Sequence, residues 1–254
     1  VISYNAAISA CEKGGQWLLA LTQLREMRQQ QVVPDVISYS AAISACEKGG
    51  QWLLALAQLR EMRQHNLAPN VISYNAAISA CGTGGQWLLA LAQLREMRLW
   101  QVSPNAISYN AALSACEKGE QWLLALVLLR EMREPQVVPD VLSYNAAISA
   151  CGKAGHFSLA LAHLREMWQW HIRPNCMSYR AAIVGFEKGG QWLLALGQLR
   201  DMHQQQLPPD VICISAAISA CGKAGQWLLA LAQLREMRCR RSSPDVFSYN
   251  AAIS

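Results

Sequence analysis

Hydrophobic residues recur along this chain in two kinds of stretch, each with the spacing of an α-helix. The first kind carries apolar side chains three and four residues apart, at Tyr4, Ala7, Ile8 and Cys11. The second kind does the same at Trp17, Ala20, Leu21, Leu24 and Met27. Because side chains at these intervals share one face of a helix, the pattern predicts two amphipathic helices, over about residues 1–13 and 16–29.

Both stretches return every 35 residues through all 254 residues, without an insertion. We number the places of a unit from 1 to 35, with Val1 at place 1 and Asp35 at place 35. A fixed period of this length is typical of a solenoid, in which stacked units bury faces that one helix pair cannot bury alone. We expect a single array with units at residues 1–35, 36–70, 71–105, 106–140, 141–175, 176–210 and 211–245 and a partial unit at 246–254. The partial unit predicts that the chain is a fragment of a longer protein.

Recurrent residues mark the ends of the predicted helices. Place 34 is always Pro, and place 35 is always Asp or Asn, whose side-chain oxygen can cap the free amides of the next helix. Gly14 and Gly15 are both expected to end the first helix. Cys11 and its counterparts are expected to be small buried side chains, because stacked helices lie too far apart for disulfides.

Composition narrows the classes of function. With 52% hydrophobic and 15% charged residues, the chain is not of the disordered class, and its apolar runs are too short to cross a membrane. The net charge of +5 permits a nucleic-acid partner without demanding one. The five histidines share no place and no recurrent carboxylate, and no metal, phosphate-loop or nucleophile motif is present. We therefore expect no enzyme activity, cofactor, metal or small-molecule substrate in this segment.

Several motifs together resemble those of one known repeat family. They are the opening Val-Ile-Ser-Tyr-Asn, the Ala-Ile-Ser-Ala followed by Lys-Gly, the Ala-Leu-x-x-Leu-x-x-Met of the second helix and the closing Pro-Asp. The chain resembles the pentatricopeptide repeat family over its whole length; the tetratricopeptide repeat, with its shorter period, fits less well. The resemblance implies an all-α, right-handed superhelical α-solenoid of helix-turn-helix repeats. Trp17 and its counterparts depart from the family pattern, and we interpret them as added packing between units.

The resemblance also implies a function: sequence-selective binding of single-stranded RNA, one base per unit, in chloroplast or mitochondrial RNA metabolism. In the family, places 5 and 35 read the base. Paired in order, these places are Asn5 with Asp35, Ser40 with Asn70, Asn75 with Asn105, Asn110 with Asp140, Asn145 with Asn175, Arg180 with Asp210, and Ser215 with Asp245. Helix capping at place 35 and a hydrogen bond between units at place 5 remain alternative explanations.

The chemistry of the pairs leads to a predicted RNA sequence. An ionised Asp only accepts hydrogen bonds and suits uracil or guanine, whereas Asn can also donate and suits adenine or cytosine. At place 5, Asn fits a pyrimidine and Ser leaves room for a purine. The predicted site is 5′-UAYUYNG-3′, with no base assigned to Arg180 and Asp210, since Arg180 is large and could instead contact a phosphate. The resemblance further implies that place 2 clamps the bases, through Ile2, Ile37, Ile72, Ile107, Leu142, Met177 and Ile212.

Two sets of cations have less certain roles. Lysine recurs at place 13 and forms a ladder that could contact RNA phosphates or simply be solvated: Lys13, Lys48, Lys118, Lys153, Lys188 and Lys223. Arg25 and Arg28 recur in the last turns of the second helix, where cations complement the helix dipole.

Two rival functions stay open. The first is a protein-interaction scaffold of the same shape, with a peptide in its groove. The second is an RNA-processing enzyme whose catalytic domain lies beyond residue 254.

Overall fold

A computed structural model describes residues 1–134 and 137–239 together with Tyr249. Those residues form fourteen α-helices and no strand. The first helices of the units are α1 (Ile2–Lys13), α3 (Val36–Lys48), α5 (Val71–Thr83), α7 (Ala106–Lys118), α9 (Val141–Lys153), α11 (Cys176–Lys188) and α13 (Val211–Lys223). The second helices are α2 (Trp17–Gln29), α4 (Trp52–Gln64), α6 (Trp87–Leu99), α8 (Trp122–Glu131), α10 (Phe157–Gln169), α12 (Trp192–Gln204) and α14 (Trp227–Cys239).

The chain divides into two compact bodies. The first body is Val1–Gly119 with Arg130–Val138, and the second is Glu120–Leu129 with Pro139–Ser254. In the first body α1, α3, α5 and α7 pack in succession, and in the second α9, α11 and α13 do the same. Five second helices, α2, α4, α6, α10 and α12, each pack between the first helix of their own unit and that of the next, as α2 does between α1 and α3. This confirms the predicted all-α repeat solenoid, whereas the single continuous array and its right-handed twist stay predictions.

The buried core follows the predicted faces. Within the second unit Tyr39, Ile43 and Cys46 have no exposed surface, and Leu59 and Met62 of the second helix have none either. Burying a side chain of the size of leucine or methionine contributes about 1.5–3 kcal/mol. The repeated set of Tyr, Ile, Leu and Met therefore stabilises each unit through burial of its largest apolar side chains.

The tryptophan at place 17 packs on the following unit, as the sequence indicates. It contacts the first of the two glycines that follow the first helix of that unit. A Cβ atom added to Gly49 would lie 2.2 Å from Cδ1 of Trp17, so this place has no room for a side chain. Gly49 has an ordinary φ of −83°, whereas Gly50 has a φ of +67°. Both glycines stand at the helix end, as predicted: Gly49 is the C-cap and Gly50 takes the left-handed conformation. Gly49 has a second role as well, because its missing side chain lets the tryptophan approach.

Place 35 caps the first helix of the next unit. Asp35 Oδ1 accepts from the backbone N–H of Ser38 at 2.9 Å, and the Ser38 hydroxyl accepts from the Asp35 N–H at 3.2 Å. The corresponding side-chain caps are made by Asn70, Asn105, Asp140, Asn175 and Asp210. Such a cap is worth about 1 kcal/mol and suits Asp and Asn equally well, so it explains why this place is polar.

A link between units that the sequence did not predict joins the second helices to the next unit. Arg28 forms an ion pair with Glu61 and donates through Nη2 to the Tyr39 hydroxyl at 3.0 Å. Arg98 repeats the arrangement with Tyr109 at 2.6 Å and Glu131 at 3.0 Å. Arginine at place 28 thus does more than complement the helix dipole.

Candidate nucleic-acid interface

One face of each first helix carries the candidate binding residues. Places 2, 5, 9 and 13 follow one another at three- and four-residue spacing, so they lie in line along the helix. The apolar residue at place 2 is exposed in all seven units; even Met177, the least exposed, shows 49% of its surface. A row of exposed aliphatic side chains contributes nothing to the core, which is the property expected of residues that contact a ligand.

Asn5 and Asp35 of the first unit are bonded directly to each other, and Asn5 is also bonded to Ser38 of the second unit. Asn5 Nδ2 lies 3.1 Å from each carboxylate oxygen of Asp35, and the Ser38 hydroxyl donates to Asn5 Oδ1 at 2.5 Å. Burial raises the pKa of Asp35, but hydrogen bonds from Ser38 and Asn5 outweigh that effect, so its pKa lies below the ordinary value. At neutral pH Asp35 is therefore an ionised acceptor with lone pairs left for another donor.

The Asn–Asn pairs have the same arrangement with a neutral partner. Asn75 Nδ2 donates to Asn105 Oδ1 at 3.3 Å, and the hydroxyl of Ser108 donates to Asn75 Oδ1 at 2.5 Å. In the second body Asn145 Nδ2 lies 3.4 Å from Asn175 Oδ1. Asn105 Oδ1 also accepts the capping N–H of Ser108, which uses its second lone pair, whereas the Nδ2 hydrogens of Asn105 can still donate.

Ser40 is more recessed than the asparagines at the same place. It is buried, donates to the Val36 carbonyl at 2.7 Å and lies 2.7 Å from the Ser73 hydroxyl. Its distance to Asn70 Oδ1 is 3.5 Å, at the limit of a hydrogen bond. The short side chain therefore leaves more room in front of Asn70 than Asn5 leaves in front of Asp35.

Arg180 occupies its unit differently. Its Nη1 lies 3.3 Å from Asp210 Oδ2, and its Nη2 lies 2.7 Å from the Met177 sulfur. The guanidinium thus contacts both the partner at place 35 and the apolar residue at place 2.

The remaining pairs are described only in part. Asn110 belongs to the first body, and Asp140, which caps α9, belongs to the second. Ser215 is buried and has a bonding partner, while Asp245 lies outside the described residues. The sequence left two alternative explanations, a helix cap at place 35 and a hydrogen bond between units at place 5, and both bonds exist. Neither bond explains why place 5 varies among Asn, Ser and Arg.

The lysines at place 13 are exposed, but they are not alike. Lys48 Nζ lies 3.0 Å from Glu12 Oε1, and Lys223 Nζ lies 3.0 Å from Glu187 Oε1. Lys118 and Lys188 form no ion pair among the described residues. The lysines of the ladder therefore differ in their surroundings, and their contact with phosphates stays a prediction.

Other candidate chemistry is sparse in the part of the chain that the structure describes. It holds no group of three or more metal-ligating side chains, and no helix long and apolar enough to cross a membrane. Histidines do meet a recurrent carboxylate, contrary to expectation: His163 Nδ1 lies 2.8 Å from Glu166 Oε2, at place 26. Burial raises the pKa of Cys46 and Cys116 to about 11, which keeps these thiols protonated and unreactive.

Comparisons with known proteins agree along the chain. The profile described as "Pentatricopeptide repeat domain" matches residues 1–50, 24–84 and 198–254. The profile "PPR repeat family" matches residues 69–118 and 139–188, and "PPR repeat" matches residues 107–135. No curated protein matches significantly.

Similar solved structures share the fold at low identity. The pentatricopeptide repeat protein PPR10 from maize is 23% identical over 98% of this chain and 41% of its own, with a TM-score of 0.67. The PPR domain of Arabidopsis thaliana protein-only RNase P 1, solved in complex with tRNA, is 16% identical over 65% of this chain and 88% of its own, with a TM-score of 0.58. Nuclear proteinaceous RNase P 2 of A. thaliana is 13% identical over 65% of this chain and 37% of its own, with a TM-score of 0.57. This chain thus spans less than half the length of the maize protein.

Proposed function

Because this chain belongs to the pentatricopeptide repeat family, we propose that it binds single-stranded RNA sequence-selectively. Each unit then binds one base. The observation that carries the proposal is the pairing, in unit after unit, of an exposed aliphatic side chain at place 2 with a polar pair at places 5 and 35. A single-stranded base offers the matching surfaces, an apolar face and a polar edge.

The apolar half of the site favours a flat ligand. Ile37 and Ile72 expose 63% and 61% of their surfaces at the same place of neighbouring units. Removing such surface from water is worth about 25 cal/mol per Å². A base that enters between two of these side chains would bury both, and this contribution would not depend on which base it is.

The polar half supplies the selectivity. Asp35, ionised and only accepting, favours uracil or guanine, and the neighbouring Asn5 favours the smaller uracil. Asn70 behind the short Ser40 favours adenine, because its amide can donate to a bare ring nitrogen and the space in front of it admits a purine. Reading all pairs along the chain gives 5′-UAYUYNG-3′, where Arg180 leaves the sixth base unassigned.

The wider role is proposed on the family alone. The tRNA complex of the RNase P 1 domain supports RNA as the ligand of this fold. We propose that these units bind without catalysis and act in chloroplast or mitochondrial RNA processing, stability, editing or translation. A scaffold for protein partners is the alternative, and salt-dependent binding of short RNAs separates the two.

The test is to recode the second unit. Ser40→Asn with Asn70→Asp makes its reading pair a copy of Asn5 and Asp35. The structure favours correct folding, since Asp caps as well as Asn does, and an Asn at place 5 can accept from Ser73 as Asn5 accepts from Ser38. Preference at the second base should move from adenine to uracil by a factor of roughly 5–150, by analogy with base-edge contacts in DNA.

The unchanged third unit is the internal control for this variant. RNAs that differ only at the third base should keep their order of affinity. A folded double variant that still prefers adenine at the second base would overturn the assignment of places 5 and 35. Equal binding of every RNA by both proteins would favour the scaffold.

A further inference from the structure

Place 12, the place directly before the lysine ladder at place 13, is either glutamate or glycine in each unit. Along the chain, place 12 is occupied by Glu12, Glu47, Gly82, Glu117, Gly152, Glu187 and Gly222. In the structure this place lies beside place 13 of the following unit. Four lysines can be compared because the preceding place 12 lies in the same body: Lys48, Lys118, Lys188 and Lys223.

Two of these lysines are held by a carboxylate. Lys48 Nζ is 3.0 Å from Glu12 Oε1, and Lys223 Nζ is 3.0 Å from Glu187 Oε1, which also accepts from the Ser219 hydroxyl at 2.8 Å. The glutamates are more buried than the lysines, with side-chain exposures of 24% and 16% against 45% and 54%. Each pair therefore presents to solvent a cation that is already neutralised.

For Lys118 and Lys188, place 12 of the preceding unit is a glycine, Gly82 or Gly152, and close packing there disfavours any side chain. A Cβ atom on Gly82 would come within 3.1 Å of the Ala115 Cβ. On Gly152 it would lie 2.9 Å from the backbone Cα of Gly185. Lys118 and Lys188 are exposed and have no ion pair in the described parts of the chain.

We propose that the side chain at place 12 determines which lysines bind RNA phosphates: Lys118 and Lys188 do, whereas Lys48 and Lys223 are blocked by Glu12 and Glu187. This rests on the proposed RNA binding. A phosphate at Lys48 would also lie near the carboxylate of Glu12, and the repulsion would offset most of the attraction, since both act over a few ångströms. The lysines then bind the RNA phosphates strongly at the fourth and sixth units and weakly at the second and seventh.

Salt dependence distinguishes the two kinds of lysine. Each lysine that neutralises a phosphate of single-stranded RNA contributes about 0.7 to the slope of log K against log salt. The variant Lys118→Ala with Lys188→Ala should therefore lower the slope by about 1.4. Its loss of affinity relative to the unmodified protein should be roughly sevenfold larger at 50 mM salt than at 200 mM salt. The variant Lys48→Ala with Lys223→Ala should change the slope by less than a third of that. Equal changes in the two variants would overturn the proposal.

A charge-removal cycle tests the mechanism directly. Glu12→Gln should release Lys48, steepen the salt slope by about 0.7 and tighten binding, and Lys48→Ala should cancel this gain in the Glu12→Gln background while doing little alone. Glu47→Gln is the matched control. It removes the same charge at the same place, but place 13 of the next unit is Thr83 and not a lysine. If Glu47→Gln steepens the slope as much as Glu12→Gln, overall charge is responsible and the proposal fails.

The probes separate this proposal from the proposed function. Two RNAs of equal length are used, one containing UAYUYNG and one with the same bases scrambled, because phosphate contacts carry no base preference. The lysine contrast should appear with both. If base preference fails but the contrast persists, the lysine proposal stands and base reading falls. If neither RNA binds, RNA binding itself is wrong and so is this inference.

Discussion

The second unit, residues 36–70, and the sixth, residues 176–210, fold to the same frame with different side chains at the places that matter most. Both have a first helix that begins one residue after its cap and ends at a lysine, and a second helix of 13 residues that begins at a tryptophan. They differ at place 5, which is Ser40 or Arg180, and at place 11, which is Cys46 or Phe186.

The difference at place 11 shows how the core tolerates variation. Phe186 is as completely buried as Cys46. Place 10 differs as well, since it is Gly185 where the second unit has Ala45. The frame is thus kept by the capping residues, the tyrosine and the second-helix leucine and methionine, while place 11 accepts side chains of different size.

The difference at place 5 shows how chemistry can vary on a constant frame. Ser40 is recessed behind the first-helix surface, whereas Arg180 reaches Asp210 and Met177. Neither change moves the helix bounds. Places 5 and 35 can therefore differ from unit to unit at little cost in folding, which is what selective base reading requires.

The core contrast predicts the largest effect on stability. Phe186→Ala should lower the free energy of unfolding by about 3–5 kcal/mol, because it removes a fully buried ring. Cys46→Ala, the matched change in the second unit, removes one sulfur atom and should cost about 1 kcal/mol. Urea unfolding measures both; similar losses would mean that the sixth unit relaxes around the missing ring and is looser than its burial indicates.

Two glycines of the sixth unit should respond in opposite directions. A Cβ on Gly197 meets nothing within 4 Å, so Gly197→Ala should stabilise α12 by about 1 kcal/mol and slow its amide exchange. A Cβ on Gly185 would lie 2.5 Å from the backbone Cα of Gly152, so Gly185→Ala should cost about 1–3 kcal/mol. Two changes of the same sign would show that helix propensity or packing alone decides both sites.

Much of the frame could be predicted because it depends on local pattern. The helix bounds follow from the apolar spacing and from Pro and Asp or Asn at the unit ends, and the buried faces of α3 and α4 match those expected. The caps at place 35 also follow, since capping needs only a residue and the three that come after it.

The remaining features depend on the offset between neighbouring units, which spacing within one unit does not reveal. The bond from Arg28 to Glu61 and Tyr39, the contact of Trp17 with Gly49 and the pair of Glu12 with Lys48 all join places of different number in consecutive units. The alternation of glutamate and glycine at place 12 was a usable signal. Its consequence for the lysines required knowing that place 12 lies beside place 13 of the next unit.

The most direct test of base reading uses the unmodified protein and compares its second and sixth units. Binding of seven-base RNAs that contain the predicted site should weaken by a factor of roughly 5–150 when adenine at the second base becomes uracil. Any substitution at the sixth base should change affinity by less than about twofold, because Arg180 engages both Asp210 and Met177 and leaves no selective pair. Equal sensitivity at the second and sixth bases, or none at either, would contradict the claim that the pairs at places 5 and 35 select the base.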